Sequence, residues 1–323
     1  MSFSDSFKKD IYQIEESSFE AAAVALFDYQ WHENELYQSY CKHLSKNPTN
    51  VRQLTDIPFL PISFFKSHQI QSGKWRPKKV FKSSGTGNAT RSQHLVKDLD
   101  FYLENTIQSF ESIYGSLNNY QIRALLPSYQ EQGDSSLIAM VDHFMSRAPA
   151  SAYYLKRDEE LIEDLQSNKN RALLIGVSFA LLDLAEKHRL DLTNQVIMET
   201  GGMKGRRNEM IREELHQVLQ QAFSVEEIHS EYGMCELFTQ AYAPRKGIFQ
   251  FPNWAKVMIR DINDPFVYLP HGRTGGVNII DMANVDSCAF IETKDLGKPG
   301  DKGTFEILGR FDNSDIRGCN LLI

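Results

Sequence analysis

Between residues 79 and 245, short apolar runs alternate with segments of helical length, and this pattern restricts the fold more than any other feature. After Arg207, the apolar side chains of one such segment recur every three or four positions, which is typical of one face of a helix. Strands separated by helices of this length pack as a mostly parallel, layered α/β sheet, whose chemistry lies in the loops after the carboxyl ends of the strands. The runs that predict strands cover residues 80–81, 122–126, 152–155, 172–175 and 196–198.

The segments on either side of this region have other patterns. Apolar residues spaced by three and four predict a helix over residues 19–44, which Asn47 and Pro48 should end. Two prolines among bulky apolar residues predict a buried, extended segment over residues 57–65. After residue 247, runs joined by Gly, Pro and Asp turns predict an antiparallel meander or distorted barrel, with strands over 256–259, 276–281, 288–293 and 303–308.

The predicted organisation therefore has three parts. We expect a helical lead-in over residues 1–78, an α/β core over 79–245 and a β-rich subdomain over 246–323.

Composition and charge exclude several classes of protein. Hydrophobic residues make up 41% of the 323-residue chain and charged residues 24%, which is ordinary for a globular protein with a large core. The net charge of −7, without a long basic run, argues against a general nucleic-acid binder. The longest apolar run, residues 172–182, is too short to span a bilayer, and the N-terminus has no signal-peptide core.

The cysteines and histidines do not predict a metal site. The four cysteines, at positions 41, 235, 288 and 319, form no CxxC pair, and the histidines show no zinc-ligand spacing. Thiols that stay reduced fit this pattern, so a cytoplasmic location is expected.

Residues 82–91 form a Ser/Thr/Gly-rich segment directly after the predicted strand at 80–81, and we expect a helix from Leu95 onward. Glycines let backbone N–H groups approach an anion and hydroxyls add further donors, so the segment suits a polyphosphate. It lacks the Gly-Lys-Ser/Thr ending of a Walker A loop, and it is not a dinucleotide fingerprint. A flexible surface turn explains this segment, taken alone, equally well.

Four segments, in order, resemble the signatures of adenylate-forming enzymes, the superfamily of acyl-CoA synthetases and luciferases. They are the Ser/Thr/Gly loop at 83–87, a Tyr-Gly-x-x-Glu motif within 231–236, the Lys-Asp-Leu-Gly segment within 293–297 and the Gly-Arg-x-Asp hinge at 309–318. Within that superfamily the chain is most similar to LuxE-type acyl-protein synthetases, through residues 58–66, 81–87, 126–129, 133–137, 199–205 and 316–319. The resemblance implies the N-terminal domain of the adenylate-forming fold, with layered sheets, flanking helices and a C-terminal antiparallel region. Since the sequence given stops at Ile323, just past the hinge, the small C-terminal domain of ordinary acyl-CoA synthetases is expected to be absent.

The resemblance implies an ATP site and assigns its residues. The five residues of the loop at 83–87 would hold the β- and γ-phosphates. Gly201 and Gly202 would form a wall where the base and the acyl chain meet. Tyr232 would stack on adenine beside the Gly233 backbone, and Asp295 would bind the ribose hydroxyls. The complete nucleotide-binding set is Ser83, Ser84, Gly85, Thr86, Gly87, Gly201, Gly202, Tyr232, Gly233 and Asp295.

The resemblance also implies three catalytic residues and the partners of the reaction. Glu236 would bind Mg²⁺, Arg310 would reach the ribose or the α-phosphate, and Cys319 would accept the acyl group as a thioester. The implied substrate is a carboxylic acid, expected to be a fatty acid. The implied partner is a reductase or another acyl-accepting protein.

The chain departs from the superfamily pattern at several positions, and other functions therefore stay open. One threonine of the loop is missing, Arg91 lies near the place of a lysine, and Cys235 replaces the motif's threonine. The alternatives are an acyl- or aryl-CoA ligase, an acyltransferase that uses preformed acyl thioesters, and a non-catalytic nucleotide-binding protein. A more distant alternative is a serine hydrolase built on Ser178, in a Gly-x-Ser-x-Ala segment with later histidines.

Overall fold

The computed structural model describes residues 2–84, 90–127, 133–167, 170–201 and 210–310. The chain divides into two compact units, one spanning Pro77–Pro252 and the other combining the residues up to Arg76 with those from Asn253 onward. The predicted lead-in over 1–78 and the β-rich segment over 246–323 thus contribute mainly to the same unit.

The described secondary structure contains helices throughout the first 223 residues and strands from residue 60 onward. The α-helices are α1 Phe3–Asp10, α2 Glu16–Glu33, α3 Glu35–His43, α4 Phe64–Ser67, α5 Leu99–Tyr114, α6 Ser136–Arg147, α7 Asp158–Ser167, α8 Ser178–Lys187 and α9 Arg212–Phe223. The strands are β1 Leu60–Pro61, β2 Lys79–Lys82, β3 Gln93–Val96, β4 Gln121–Leu125, β5 Ala152–Tyr153, β6 Ala172–Val177, β7 Val196–Thr200, β8 His229–Tyr232, β9 Ala241–Ala243, β10 Ile248–Phe249, β11 Ala255–Arg260, β12 Gly275–Asp281, β13 Phe290–Pro299 and β14 Phe305–Arg310.

The unit Pro77–Pro252 is built on a parallel sheet, as the strand and helix pattern predicts. Its strand order is β5-β4-β6-β7-β8-β9, in which β9 alone runs antiparallel, against β8. All residues of β4, β6 and β7 are buried, and helices α5, α6, α8 and α9 supply apolar residues to the same core. Strands covered on both faces are mostly apolar, which explains the apolar runs in the sequence.

The helix expected from Leu95 onward was wrong at its start. Residues 93–96 form β3, which pairs antiparallel with β2 and places His94 opposite Phe81. Helix α5 begins only at Leu99, where the side chain of Asp98 accepts a hydrogen bond from the backbone N–H of Phe101. The Ser/Thr/Gly segment therefore joins two strands of a hairpin, rather than a strand and a helix.

The other unit contains the antiparallel region expected near the C-terminus. Strands β11, β12, β13 and β14 form an antiparallel meander, and β1 pairs with β13 in parallel. The buried Gln30 side chain donates hydrogen bonds to the carbonyls of Asn284 and Val285 and accepts one from the N–H of Ala289. These bonds attach helix α2 to the chain that leads into β13.

Two details of this unit differ from the sequence expectation. The helix predicted over 19–44 is broken at Asn34, because the Asn34 side chain caps α3 through the N–H of Tyr37 and donates to the carbonyl of Ser287. In the proline-containing segment over 57–65, strand β1 is extended as expected. The last residues of that segment instead begin α4 at Phe64.

Within the described ranges, each helix is either too short or too polar to cross a membrane.

Candidate active site

The parallel strands β6, β7 and β8 end side by side, and their carboxyl ends form the edge at which an α/β sheet usually binds ligands. Ser178 follows β6 and begins α8, Gly201 follows β7, and Gly233 follows β8. Gly201 has a φ of +67°, a backbone conformation that favours glycine. The fold thus brings several of the residues predicted from separate motifs to one edge.

Tyr232 and Gly233 are held tightly at the end of β8. The Tyr232 side chain is 9% exposed, and its ring lies 5.8 Å from the ring of Phe249. A Cβ atom on Gly233 would lie 2.4 Å from Oε1 of Glu231, so only glycine fits there without displacing the carboxyl group. Gly233 itself is exposed, so its main chain is accessible at the end of β8.

Glu236 lies in the turn after β8, and this turn is connected to the β2–β3 hairpin. The Glu236 residue is 5% exposed. The carbonyl of its neighbour Cys235 lies 2.8 Å from Nδ1 of the fully buried His94 on β3, which implies that Nδ1 carries the proton and donates. Burial lowers the pKa of His94 to about 4, although the bond to Cys235 acts in the opposite direction. The imidazole is therefore neutral at physiological pH.

Ser83 and Ser84 follow β2, and the next described residue is Thr90. The N–H of Ser92 donates to Oγ of Ser83 at 3.0 Å, and the guanidinium of Arg91 donates to the Ser83 carbonyl. Arg91 also pairs with Asp134 at 3.3 Å, so Asp134 offsets its charge. Gly85, Thr86, Gly87 and Gly202 lie outside the described residues.

A buried polar network lies on β7 and β8, directly before the glycines of the edge. Glu199 accepts a hydrogen bond from Ser178 at 3.1 Å and lies 3.4 Å from Nε of Arg212 and 3.8 Å from Nε2 of His216. Burial by itself raises the pKa of Glu199, but the hydrogen bond from His216 and the charge of Arg212 outweigh it and keep the pKa below its ordinary value. Glu199 is thus a carboxylate that orients the start of α8 and of α9.

The second carboxyl group of the network behaves differently. Thr200 donates a short hydrogen bond to Oε2 of Glu231, and Glu231 is 8% exposed. Burial raises the pKa of Glu231 to about 7. Glu199, Thr200 and Glu231 lie inside the segments 199–205 and 231–236 but received no role in the sequence analysis, although two acidic residues inside otherwise buried strands are a signal that could have revealed one.

The geometry at Ser178 does not match a hydrolase nucleophile. Its side chain is 2% exposed, and its hydroxyl lies 3.1 Å from both a Glu199 carboxylate oxygen and the Gly201 carbonyl. Both partners are acceptors, whereas a serine nucleophile needs an imidazole to take its proton. Within the described residues, Ser178 therefore links the ends of β6 and β7.

Asp295 and Arg310 meet in the other unit. They are register partners on β13 and β14, and Nε of Arg310 donates to Oδ1 of Asp295 at 3.0 Å. Asp295 is 5% exposed, whereas the Arg310 side chain is 70% exposed. The pair combines a carboxylate acceptor with a guanidinium, which suits hydroxyl and phosphate groups. Cys319 lies outside the described residues.

The described residues fit a nucleotide with Mg²⁺. Magnesium is usually held by one or two carboxylates together with substrate phosphates and water, so the single carboxylate of Glu236 is sufficient. A dedicated cage of three or more His, Cys, Asp or Glu side chains does not occur among the described residues. Gly201 and Gly233 are both exposed, so their main chain is accessible at this edge.

Known proteins with similar sequences and structures are ligases. The chain is 24% identical over 334 residues to the long-chain-fatty-acid–luciferin-component ligase of Vibrio harveyi, and the match covers 91% of this chain and 84% of that protein. No family model matches the chain.

The structural neighbours have low sequence identity and show the fold. An open conformation of 2-hydroxyisobutyryl-CoA ligase, with 2-HIB-AMP and CoA, matches 94% of this chain and 78% of that one, with a TM-score of 0.66 and 12% identity. ATP-bound MatB from Rhodopseudomonas palustris matches 72% of this chain with a TM-score of 0.55 and 16% identity. The matched region is about half, 47%, of the length of MatB. The predicted α/β fold of adenylate-forming enzymes and the resemblance to the LuxE-type ligase are confirmed.

Proposed function

We propose that this chain uses ATP to activate a carboxylic acid as an acyl-adenylate and then passes the acyl group to a protein thiol. The observation that carries this proposal is the position of the motif residues Gly201, Tyr232, Gly233 and Glu236 at one edge of the parallel sheet. Gly201 comes from one motif and the other three residues from a second, and both motifs lie at the edge where α/β sheets usually bind ligands.

The relatives support the class of reaction. The name of the Vibrio harveyi relative supports the class predicted from the sequence, an acyl-activating ligase. The Vibrio harveyi relative is named for a long-chain fatty acid, and we propose a fatty acid as the substrate of this chain as well. ATP as the second substrate agrees with the ATP-bound state of the MatB neighbour.

The described motif residues of the unit Pro77–Pro252 would each have a task in this reaction. Tyr232 and the Gly233 main chain would hold the adenine ring, and Ser83 and Ser84 would donate to phosphate oxygens. Glu236 would hold Mg²⁺, which neutralises phosphate charge when bound. Because the attacking carboxylate and the phosphate are both anionic, these residues would act by positioning and charge neutralisation.

In the other unit, Asp295 and Arg310 would bind the ribose hydroxyls and the α-phosphate. The ion pair between them orients the guanidinium. Their roles are proposals from the motif resemblance, supported by their pairing across β13 and β14.

Three of the four cysteines are unsuitable as acyl acceptors. Cys41, Cys235 and Cys288 are buried, and burial raises the pKa of each thiol above its ordinary value. A thioester forms from a thiolate, so a buried neutral thiol is a poor nucleophile. Cys319 is the remaining cysteine of the sequence, and we propose it as the acceptor.

ATP–pyrophosphate exchange with a panel of short to long carboxylic acids tests the first step. We expect exchange with long acids in the presence of Mg²⁺, and a loss of about a hundredfold or more in Glu236→Gln, as for other groups that stabilise transition-state charge. Glu214→Gln, at an exposed position of α9, is the matched control and should retain exchange. Absence of exchange with every acid, or full exchange in Glu236→Gln, would refute adenylation through this site.

Acyl transfer requires a separate measurement, because one of the structural neighbours, 2-hydroxyisobutyryl-CoA ligase, is a CoA ligase by name. With labelled fatty acid and ATP, we expect covalent label on the protein that is lost in Cys319→Ser while exchange continues. An acyl-CoA product formed without any labelled protein would instead favour a CoA ligase.

A further inference from the structure

Glu231 lies on β8, which pairs with β7 on one side and with β9 on the other. On one side it is the register partner of Thr200 on β7, and on the other side it is the partner of Tyr242 on β9. The residues that follow Thr200 and Tyr232 are Gly201 and Gly233, both assigned above to the nucleotide site. Glu231 is therefore two residues before Gly233 along β8, and its register partner Thr200 directly precedes Gly201.

Both oxygens of the Glu231 carboxyl group contact these strand ends. Oε2 accepts the hydroxyl hydrogen bond of Thr200, which precedes Gly201. Oε1 lies 2.4 Å from the position that a Cβ atom on Gly233 would occupy. The carboxyl group thus packs against Gly233 and connects it to the end of β7.

The surroundings of this carboxyl group favour its neutral form. On β7 it faces the hydroxyl of Thr200 and the nearby carboxylate of Glu199, and from α5 and β9 it faces the phenols of Tyr102 and Tyr242. Burial raises the pKa of both phenols, so they are uncharged at neutral pH.

These groups also determine where Glu231 titrates. Burial first, and the charge of Glu199 in addition, raise the pKa of Glu231 to about 7, against the lowering effect of the Thr200 hydrogen bond. Glu231 is consequently neutral in mildly acidic solution and gains a charge as the pH rises above about 7.

We propose that Glu231 is a positioning residue of the nucleotide site, which holds Gly201 and Gly233 in place when neutral and displaces them when ionised. The physical reason is that a buried carboxylate next to Glu199 must recruit water or move outward, and its two oxygens lie against the Thr200 hydroxyl and the Gly233 main chain, which such a movement would disturb. Nucleotide binding should therefore weaken as the pH rises through neutrality. This inference rests on the proposed ATP-binding function.

Calorimetric titration with Mg-ATP between pH 6 and pH 8 tests the inference. The nucleotide titrates in the same way with every variant, so the difference between variants isolates the protein. We expect the dissociation constant of the wild type to rise about fivefold, a typical size for coupling between sites, and that of Glu231→Gln to stay nearly constant. Glu292→Gln is the matched control, since burial also raises the pKa of that half-buried carboxyl in the other unit, and it should follow the wild type.

Two outcomes would overturn the inference. One is a Glu231→Gln profile that parallels the wild type, and the other is an equal loss of affinity at all pH values, which indicates a purely structural role. If the wild type binds no ATP at any pH, the proposed function fails. The positioning role is then tested by hydrogen exchange of the segments that contain Gly201 and Gly233 in the nucleotide-free protein. Exchange should increase from pH 6 to pH 8, after correction for intrinsic rates, in the wild type and not in Glu231→Gln, and equal behaviour of the two would refute it.

Discussion

His94 should make the unit Pro77–Pro252 sensitive to acid. Its side chain is fully buried on β3, with Nδ1 hydrogen-bonded to the carbonyl of Cys235. Burial lowers its pKa from the ordinary value of 6.5 to about 4. Between these two values the unfolded chain binds a proton that the folded chain does not, so stability is lost as the pH falls below 6.5 and the loss is complete below about 4.

The size of the effect follows from the same two values. At pH 5 the unfolded imidazole is almost fully protonated while the folded one is still neutral, and the difference costs about 2 kcal/mol relative to pH 7. Asn can replace His94 because its amide nitrogen occupies nearly the place of Nδ1 and can still donate to Cys235. His94→Asn will be less stable at pH 7 owing to the smaller side chain, but its stability should fall by about 2 kcal/mol less between pH 7 and pH 5.

The assay must report on the correct unit. Trp31, Trp75 and Trp254 all lie in the other unit, so tryptophan fluorescence would not follow this transition. Hydrogen exchange of peptides from β6 and β7, measured against denaturant at pH 7, 6 and 5, reports the unfolding free energy of the relevant core. His188→Asn, at a partly exposed position of the same unit, is the control and should behave as the wild type.

An equal loss of stability in His94→Asn and the wild type would refute this explanation. A partial effect is expected rather than complete loss of acid sensitivity, because burial also lowers the pKa of His229, in the same unit, to about 4. The relevant quantity is therefore the difference between the two pH dependences.

Three further predictions concern the same unit. Gly233→Ala should cost about 1–3 kcal/mol of unfolding free energy, because its Cβ would lie 2.4 Å from Oε1 of Glu231; nucleotide affinity measured by calorimetry should fall too, and an unchanged affinity would argue against close approach at this position. Ser178 should resist a fluorophosphonate probe, since its hydroxyl is buried between two acceptors, and mass-spectrometric detection of a Ser178 adduct would revive the hydrolase alternative. Asp164→Ala should destabilise the unit by about 3 kcal/mol in chemical denaturation, since it leaves the buried guanidinium of Arg123 without its carboxylate, and a change below about 1 kcal/mol would contradict a stabilising pair.

The layered fold could be predicted because its strands are buried on both faces. Such strands are mostly apolar, and the runs at 122–126, 172–175 and 196–198 indeed became β4, β6 and β7. The hairpin strand β3 was not recognised, because four residues before an N-cap aspartate carry too little periodicity to separate a strand from the first turn of a helix. The break at Asn34 was missed for a related reason, since its capping bond to Tyr37 does not interrupt the apolar spacing.

Residues of the candidate site could be predicted only where they belong to a short sequence motif. Tyr232, Gly233 and Glu236 were identified by a short pattern whose glycine has a specific steric cause. The ionisation behaviour of Glu231 depends on burial and on Glu199, which comes from a different strand, and such a distance between side chains is not encoded in local sequence. The same holds for the contact of His94 with the Cys235 carbonyl, which joins residues 141 positions apart.

The His94 contact explains one departure from the superfamily motif. His94 binds the backbone carbonyl at position 235, not its side chain, so the hairpin stays connected to the Glu236 turn whichever residue occupies that position. A cysteine is therefore tolerated there without loss of this connection.

The division of the chain into units has a consequence for biosynthesis. The unit Pro77–Pro252 is continuous, so it is complete once the ribosome has made residue 252, and it can begin folding before the rest has emerged. Helix α2, although made early, depends on Gln30 contacts with residues 284, 285 and 289, more than 250 positions later. Helix α2 must therefore wait for these contacts until residue 289 has been synthesised, and this interval is when the nascent protein most needs protection from aggregation.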